Sequence, residues 1–270
     1  MSSSVTSVVV AFELALILAG LVLLWRLALS RTARTAQTLS PLPRWEILPS
    51  GFVMIIWCVL MGGIAGQFVA LQAAKWLPGV TADSRIVIVG GGFQLGLLAG
   101  WLGSRWLQSV RSATTPWTPA PINPLLAGVA TFLVAMPLVT AVSLTWQYGL
   151  EKLGLPVEQQ ELIELLTQGK SVVLVGLAVI VAPVSEELIF RAGLFRYARF
   201  RLPRWAALLL PACLFAALHT NLATFAPLVV LGVLLSLAYE RTGNIVAPMI
   251  AHSLFNLNTV LLIFAGVDKM

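Results

Sequence analysis

Charge is what this sequence has least of. Only 10% of its 270 residues are Asp, Glu, Lys or Arg, against about a quarter in soluble domains. The shortage excludes an ordinary soluble fold, and a mean hydropathy of +0.92 points the same way. Cysteine is nearly absent too. Cys58 and Cys213 each stand alone in an apolar stretch, which excludes a disulfide framework and a zinc knuckle. No phosphate loop is present: Gly90-Gly91-Gly92 follows no strand and leads to no Gly-Lys-Ser/Thr. No internal repeat and no separate soluble domain can be read. The net charge of +6 does not imply nucleic acid, because the basic residues sit in short loops between apolar runs.

What is there is a series of apolar runs near the ~20 residues that span a bilayer as helix. The fold class is all-α, a polytopic membrane helical bundle of about eight transmembrane helices with an intramembrane polar cavity. The predicted spans are Val8–Leu27, Phe52–Ala74, Ile86–Leu107 and Leu125–Trp146, then one from Ser171 into residues 183–191. Trp205–Asn221, Phe225–Tyr239 and Ile245–Phe264 follow. The first has no basic segment before it and reads as an uncleaved anchor. Its Glu13 reads as an interfacial or helix-bonded carboxylate. Gly62 and Gly66, and Gly92, Gly96 and Gly100, recur at the four-residue spacing that lets helices approach closely in lipid.

Between the spans, Ala113–Pro124 reads as a Pro/Thr-rich loop and Glu151–Lys170 as an amphipathic interfacial helix. Pro211, Pro227 and Pro248 predict bent or broken helices in the last three spans. Alternating eight spans from an external N-terminus leaves eleven arginines on the cytoplasmic side: 26, 31, 34, 44, 105, 111, 196, 199, 201, 204 and 241. The other side receives Lys75, Arg85, Lys152, Lys170 and Lys269. That asymmetry is the positive-inside bias.

Against this apolar background, Pro183-Val184-Ser185-Glu186-Glu187-Leu188-Ile189-Phe190-Arg191 stands out. Ionisable groups at membrane depth are costly and mark function. Glu187 and Arg191 share a helix face and are expected to form an ion pair, which leaves Glu186 for chemistry. His219 and His252 fall in later apolar spans; Phe215 lies one turn before His219 and Asn256 one turn after His252. Phe215 is a candidate for the substrate cavity. Two chemistries fit. In one, Glu186 activates water with His219, while His252 and Asn256 stabilise an oxyanion. In the other, Glu186, His219 and His252 bind zinc; no His-Glu-x-x-His is present. Counting along the spans puts Glu186 and His219 about 10 Å apart in depth. An interfacial course for Arg199–Leu208 would close that gap.

Glu186-Glu187-x-x-x-Arg191, Phe215-x-x-x-His219 and His252-x-x-x-Asn256, in order, resemble the CPBP family of membrane-embedded CAAX-processing and bacteriocin-immunity-type proteases. The likeness covers residues 123–265 as a catalytic core and leaves 1–122, about three helices, without a role. It implies peptide-bond hydrolysis in a cavity open to the cytoplasm. Glu186 and His219 would activate water, His252 and Asn256 would form the oxyanion site, and Glu187 with Arg191 would brace the helix. The family carries the label metalloprotease, yet its glutamate mechanism reads without a metal, so no cofactor is required and zinc is the alternative. The implied partners are the lipid bilayer and a membrane-associated or prenylated protein or peptide. In a bacterium the membrane would be the plasma membrane. The rival readings are a proton-coupled secondary transporter and a non-catalytic immunity or scaffold protein.

Overall fold

The computed structural model describes residues 3–31, 42, 44–109, 122–155 and 172–266. Among these residues the chain forms eight helices and no strand. They are α1 (Ser3–Leu24, continued by a π-helical turn Trp25–Leu29), α2 (Pro49–Trp76), α3 (Ala82–Ser109), α4 (Pro124–Lys152), α5 (Val172–Arg199), α6 (Arg204–Ala217), α7 (Leu222–Thr242) and α8 (Val246–Phe264). All but α6 are long and apolar enough to cross a bilayer. The chain is a multi-pass integral membrane protein. The interfacial helix expected over 151–170 and the loop over 113–124 fall mostly outside the described residues.

Local chemistry sets the helix ends. Asn123 caps α4, its side-chain oxygen accepting from the Leu125 amide at 2.9 Å, with Pro124 in the first turn. Asn221 caps α7 by accepting from the Thr224 amide at 3.0 Å. At the other end of α7, Gly243 turns left-handed (φ 64°) and its amide closes onto the Tyr239 carbonyl, a stop that favours glycine.

Two packing groups build the bundle. α2 and α3 form an antiparallel pair joined along their glycines. A Cβ on Gly62 would lie 2.4 Å from the Gly96 carbonyl oxygen, and one on Gly100 would lie 2.3 Å from that of Cys58. With no hydrophobic drive between helices in lipid, such close backbone approach is what holds a pair together. In the second group, Phe132, Met136 and Val139 of α4 meet Leu231 and Leu235 of α7 and Ala251 of α8. Here α1 lies on α4, its Gly20 against the Leu133 carbonyl. The groups meet where Ile55, Val59, Leu97 and Trp101 pack against Leu188, Ile189 and Ala192 of α5.

From α2 onward the helices run alternately up and down. One end collects arginines: Glu240 accepts from both Arg199 and Arg204, and Arg201 donates to the Ile47 carbonyl at 2.6 Å. Arg105 and Arg196 lie over the Trp45 ring at this end. At the opposite end the Trp146 indole donates to the Leu222 carbonyl at 2.7 Å.

Three expectations need correction. Pro211 and Pro227 sit inside α6 and α7 without breaking them. The irregularity lies in α5, whose α-helical turns alternate with π-helical segments at Leu177–Val181 and Leu188–Phe195, on either side of Pro183. Second, Arg199–Leu208 is not one element: α5 ends at Arg199 and α6 begins at Arg204. The depth mismatch disappears for a different reason: α5 runs 28 residues, past the bilayer's needs, to Arg199. Counted from the arginine end at about 1.5 Å per residue, Glu186 and His219 both stand about 20 Å in. Third, Phe225–Tyr239 understates α7, which has 21 residues.

Candidate functional site

The π-helical segments of α5 flank the turn that carries Glu186 and Glu187. Such insertions are frequent at functional sites, because they free carbonyls and rotate neighbouring side chains. Glu187 and Arg191 are fully buried and paired, Nη1 to Oε1, at 2.8 Å. The same Oε1 accepts from His252 Nδ1 at 2.8 Å; a carboxylate can only accept, so the proton is on Nδ1. The other ring nitrogen, Nε2, points at Glu186 Oε2 from 3.8 Å. His252, 3% exposed, therefore stands between the two glutamates. A second guanidinium nitrogen of Arg191 donates to the Gly232 carbonyl of α7 at 3.3 Å.

Phe215 lies behind the site, not on its wall. Its ring is 1% exposed. The Arg191 guanidinium lies 4.7 Å from the ring centre, and the rings of His219 and His252 lie 4.8 and 5.7 Å away. Its place as a substrate-cavity residue is thus corrected: it is a packing hub whose face receives a buried cation.

Glu186, His219 and Asn256 line one cavity of about 320 Å³, whose walls come from α3, α5, α8 and the end of α6. His219 donates from Nδ1 to the Phe215 carbonyl at 2.8 Å, because a carbonyl can only accept. Nε2 takes no part in that bond. The next residue, Thr220, has φ 51°, an outlier for a β-branched side chain. This strained turn ends α6 and sets where His219 stands. Asn256 donates to the Ala178 carbonyl, in the first π segment, at 2.8 Å. Its amide nitrogen carries a second hydrogen.

The cavity extends from Glu186 past Gly90 to Ile86, Val87 and Leu174, near the starts of α3 and α5. It therefore occupies the half of the bundle remote from the arginines. The expected cytoplasmic opening and the positive-inside assignment cannot both describe this cavity.

Gln94 of α3 was not among the candidates. Its Nε2 reaches Glu186 Oε1 at 3.4 Å, and its Oε1 accepts from Ser185 Oγ at 2.6 Å. The signal was available: an amide at mid-depth in an apolar, glycine-rich span has no partner in lipid and must face another helix. Glu13 proves to be helix-bonded, accepting from Asn258 at 3.3 Å.

With this geometry in hand, comparison with known proteins is informative. Residues 168–258 match the family model described as Rce1-like, type II CAAX prenyl endopeptidase Rce1-like. The matched stretch is about a third of the chain. An uncharacterized 24.3 kDa protein of Escherichia coli is 35% identical over 79 residues, which cover 27% of this chain and 36% of that relative. The match thus spans about a third of the relative's length. No solved structure matches significantly. The Rce1-like region holds all seven candidate residues, from Glu186 to Asn256, while Gln94 comes from outside it.

The zinc alternative needs three ligands aimed at one point. Among the described residues no three His, Cys, Asp or Glu side chains gather so. Both histidines bond through Nδ1, to Glu187 and to the Phe215 carbonyl, which leaves Nε2 as the nitrogen a metal would take. The described residues assemble no three-ligand centre, the label metalloprotease finds no support, and no step is routed through a metal.

Proposed function

We propose that this chain is an intramembrane endopeptidase of the CAAX-processing type, hydrolysing a peptide bond of a membrane-associated protein with Glu186 as general base. The observation that carries this reading is the single cavity shared by Glu186, His219 and Asn256. Water between Glu186 and His219 Nε2 loses a proton to the carboxylate as its oxygen bonds to the scissile carbonyl carbon. The developing oxyanion accepts a hydrogen bond from the second Asn256 amide N–H. The carbon–nitrogen bond then breaks as Glu186 returns the proton to the leaving amine. His252 positions Glu186 from behind in this scheme, since it is buried and bonded to Glu187; its role differs from the oxyanion donor that the resemblance implies. The buried Glu187–Arg191 pair holds both.

Positive-inside bias assigns the arginine end to the cytoplasm, so the cavity lies nearer the opposite face. This favours substrates whose scissile bond is presented from within the bilayer or from that far side. A prenylated cytoplasmic tail fits the reverse orientation. Single cysteines introduced at Arg44 and Lys152, tested with a membrane-impermeant thiol reagent on intact cells, distinguish the two.

The deciding experiment compares membrane-protein termini by mass spectrometry between cells expressing wild type and Glu186→Gln at equal levels. New termini confined to wild type support the protease and name its substrate. Identical termini favour the transporter or scaffold readings.

A further inference from the structure

A second cavity, of about 270 Å³, opens at the arginine end and is separate from the Glu186 site. Its walls include Trp45, Trp101, Arg105, Arg196 and Tyr239, with the Gly243–Ile245 turn between α7 and α8. The guanidinium carbons of Arg105 and Arg196 lie 5.4 and 5.5 Å from the centre of the same indole, that of Trp45. Tyr239 lines the same wall beside Arg196. Two like charges are thus held on one aromatic ring. Among the described residues no carboxylate lines the cavity. Glu46 and Glu240 adjoin lining residues in sequence but do not line it themselves, and Glu240 is bound to Arg199 and Arg204.

We propose that this cavity binds the phosphate group of an anionic membrane lipid. A guanidinium pair matches phosphate oxygens in geometry and charge, and basic pockets between transmembrane helices at the membrane surface take anionic head groups. The surroundings point to a lipid instead of a free ion. Leu102 and Trp106, each one position round α3 from Trp101 and Arg105, are exposed on the bundle's outer surface. An acyl chain could lie along them while its phosphate enters the cavity.

The test is native mass spectrometry of the purified full chain in zwitterionic detergent, with equal amounts of phosphatidylglycerol and phosphatidylcholine. Wild type is expected to retain phosphatidylglycerol about tenfold over phosphatidylcholine. Arg105→Gln with Arg196→Gln abolishes the preference, whereas Arg105→Lys with Arg196→Lys keeps most of it. Arg44→Gln, at the same end but off the cavity wall, leaves it unchanged. Equal retention of the two lipids by wild type overturns the proposal whatever the variants do. So does full preference in the Gln variant, or an equal gain in thermal stability from inorganic phosphate alone. Lipid retention is read without turnover, so it stands or falls separately from the protease reading.

Discussion

The Glu186 cavity and the Trp45 cavity are similar in size, about 320 and 270 Å³, and opposite in chemistry. One lies deep, with a carboxylate, an imidazole and an amide on apolar walls. The other lies at the end of the bundle, with two guanidiniums on an indole. The deep one rests on a fixed support. Glu187, Arg191, His252 and Phe215 form a buried layer in which nearly every polar atom is assigned, the exceptions being Glu187 Oε2 and Arg191 Nε. The end cavity rests on side chains near water, where salt screens charge. A charged group at depth therefore needs a second shell of partners, while one at the interface does not. The two should respond to mutation and ionic strength in opposite ways.

The sharpest way to break the comparison is Glu186→Gln. It should lower cleavage by about 10²- to 10⁴-fold with lipid retention unchanged, because the near-isosteric amide keeps the fold but cannot take a proton. Paired assays of product termini and bound lipid check both halves. Arg191→Met attacks the support instead. Removing one member of a buried pair costs about 3–5 kcal/mol, so the variant should unfold at markedly lower SDS fraction as well as lose activity. Glu240→Gln, which weakens a partly exposed pair, should shift that midpoint far less.

Gly96→Val tests whether the α2–α3 contact positions the deep cavity. A Cβ there would meet the Gly62 carbonyl oxygen at 2.2 Å, so the helices must separate. Overpacking of this kind costs about 1–3 kcal/mol, and kcat should fall as Gln94 moves with its helix. Gln94→Ala should have the smallest effect. Losing a hydrogen bond worth about 1 kcal/mol predicts about a fivefold fall in kcat, with KM little changed, in a steady-state peptide-cleavage assay. An unchanged kcat would remove α3 from the mechanism.

Much of this was legible in the sequence. Apolar run length located eight helices, since lipid admits few alternatives to helix. The four-residue glycine spacing located the α2–α3 seam. In the deep site, the i, i+4 spacing of Glu187 and Arg191 led directly to their contact. What could not be read there was set by the backbone: the π segments of α5, the left-handed Thr220, and the carbonyls of Ala178 and Phe215 that orient Asn256 and His219. No side-chain pattern announces these. Where the cavity sits along the bundle could not be read for a related reason. It depends on which half of α3 faces α5, and helical periodicity in an all-apolar span does not say. The Trp45 cavity was out of reach as well, because it joins residues 45, 105, 196 and 239 from four separate stretches.

The bond between Gln94 and Glu186 also bears on modularity. The stretch matched to the Rce1-like family ends its likeness at residue 258 and begins it at 168, which invites a minimal version built from residues 123–265 alone. Such a truncation would remove the α3 wall and leave Glu186 facing acyl chains. The glycine-joined pair α2–α3 is therefore a component that a transplant or shortened design must carry along, even though family likeness does not extend to it.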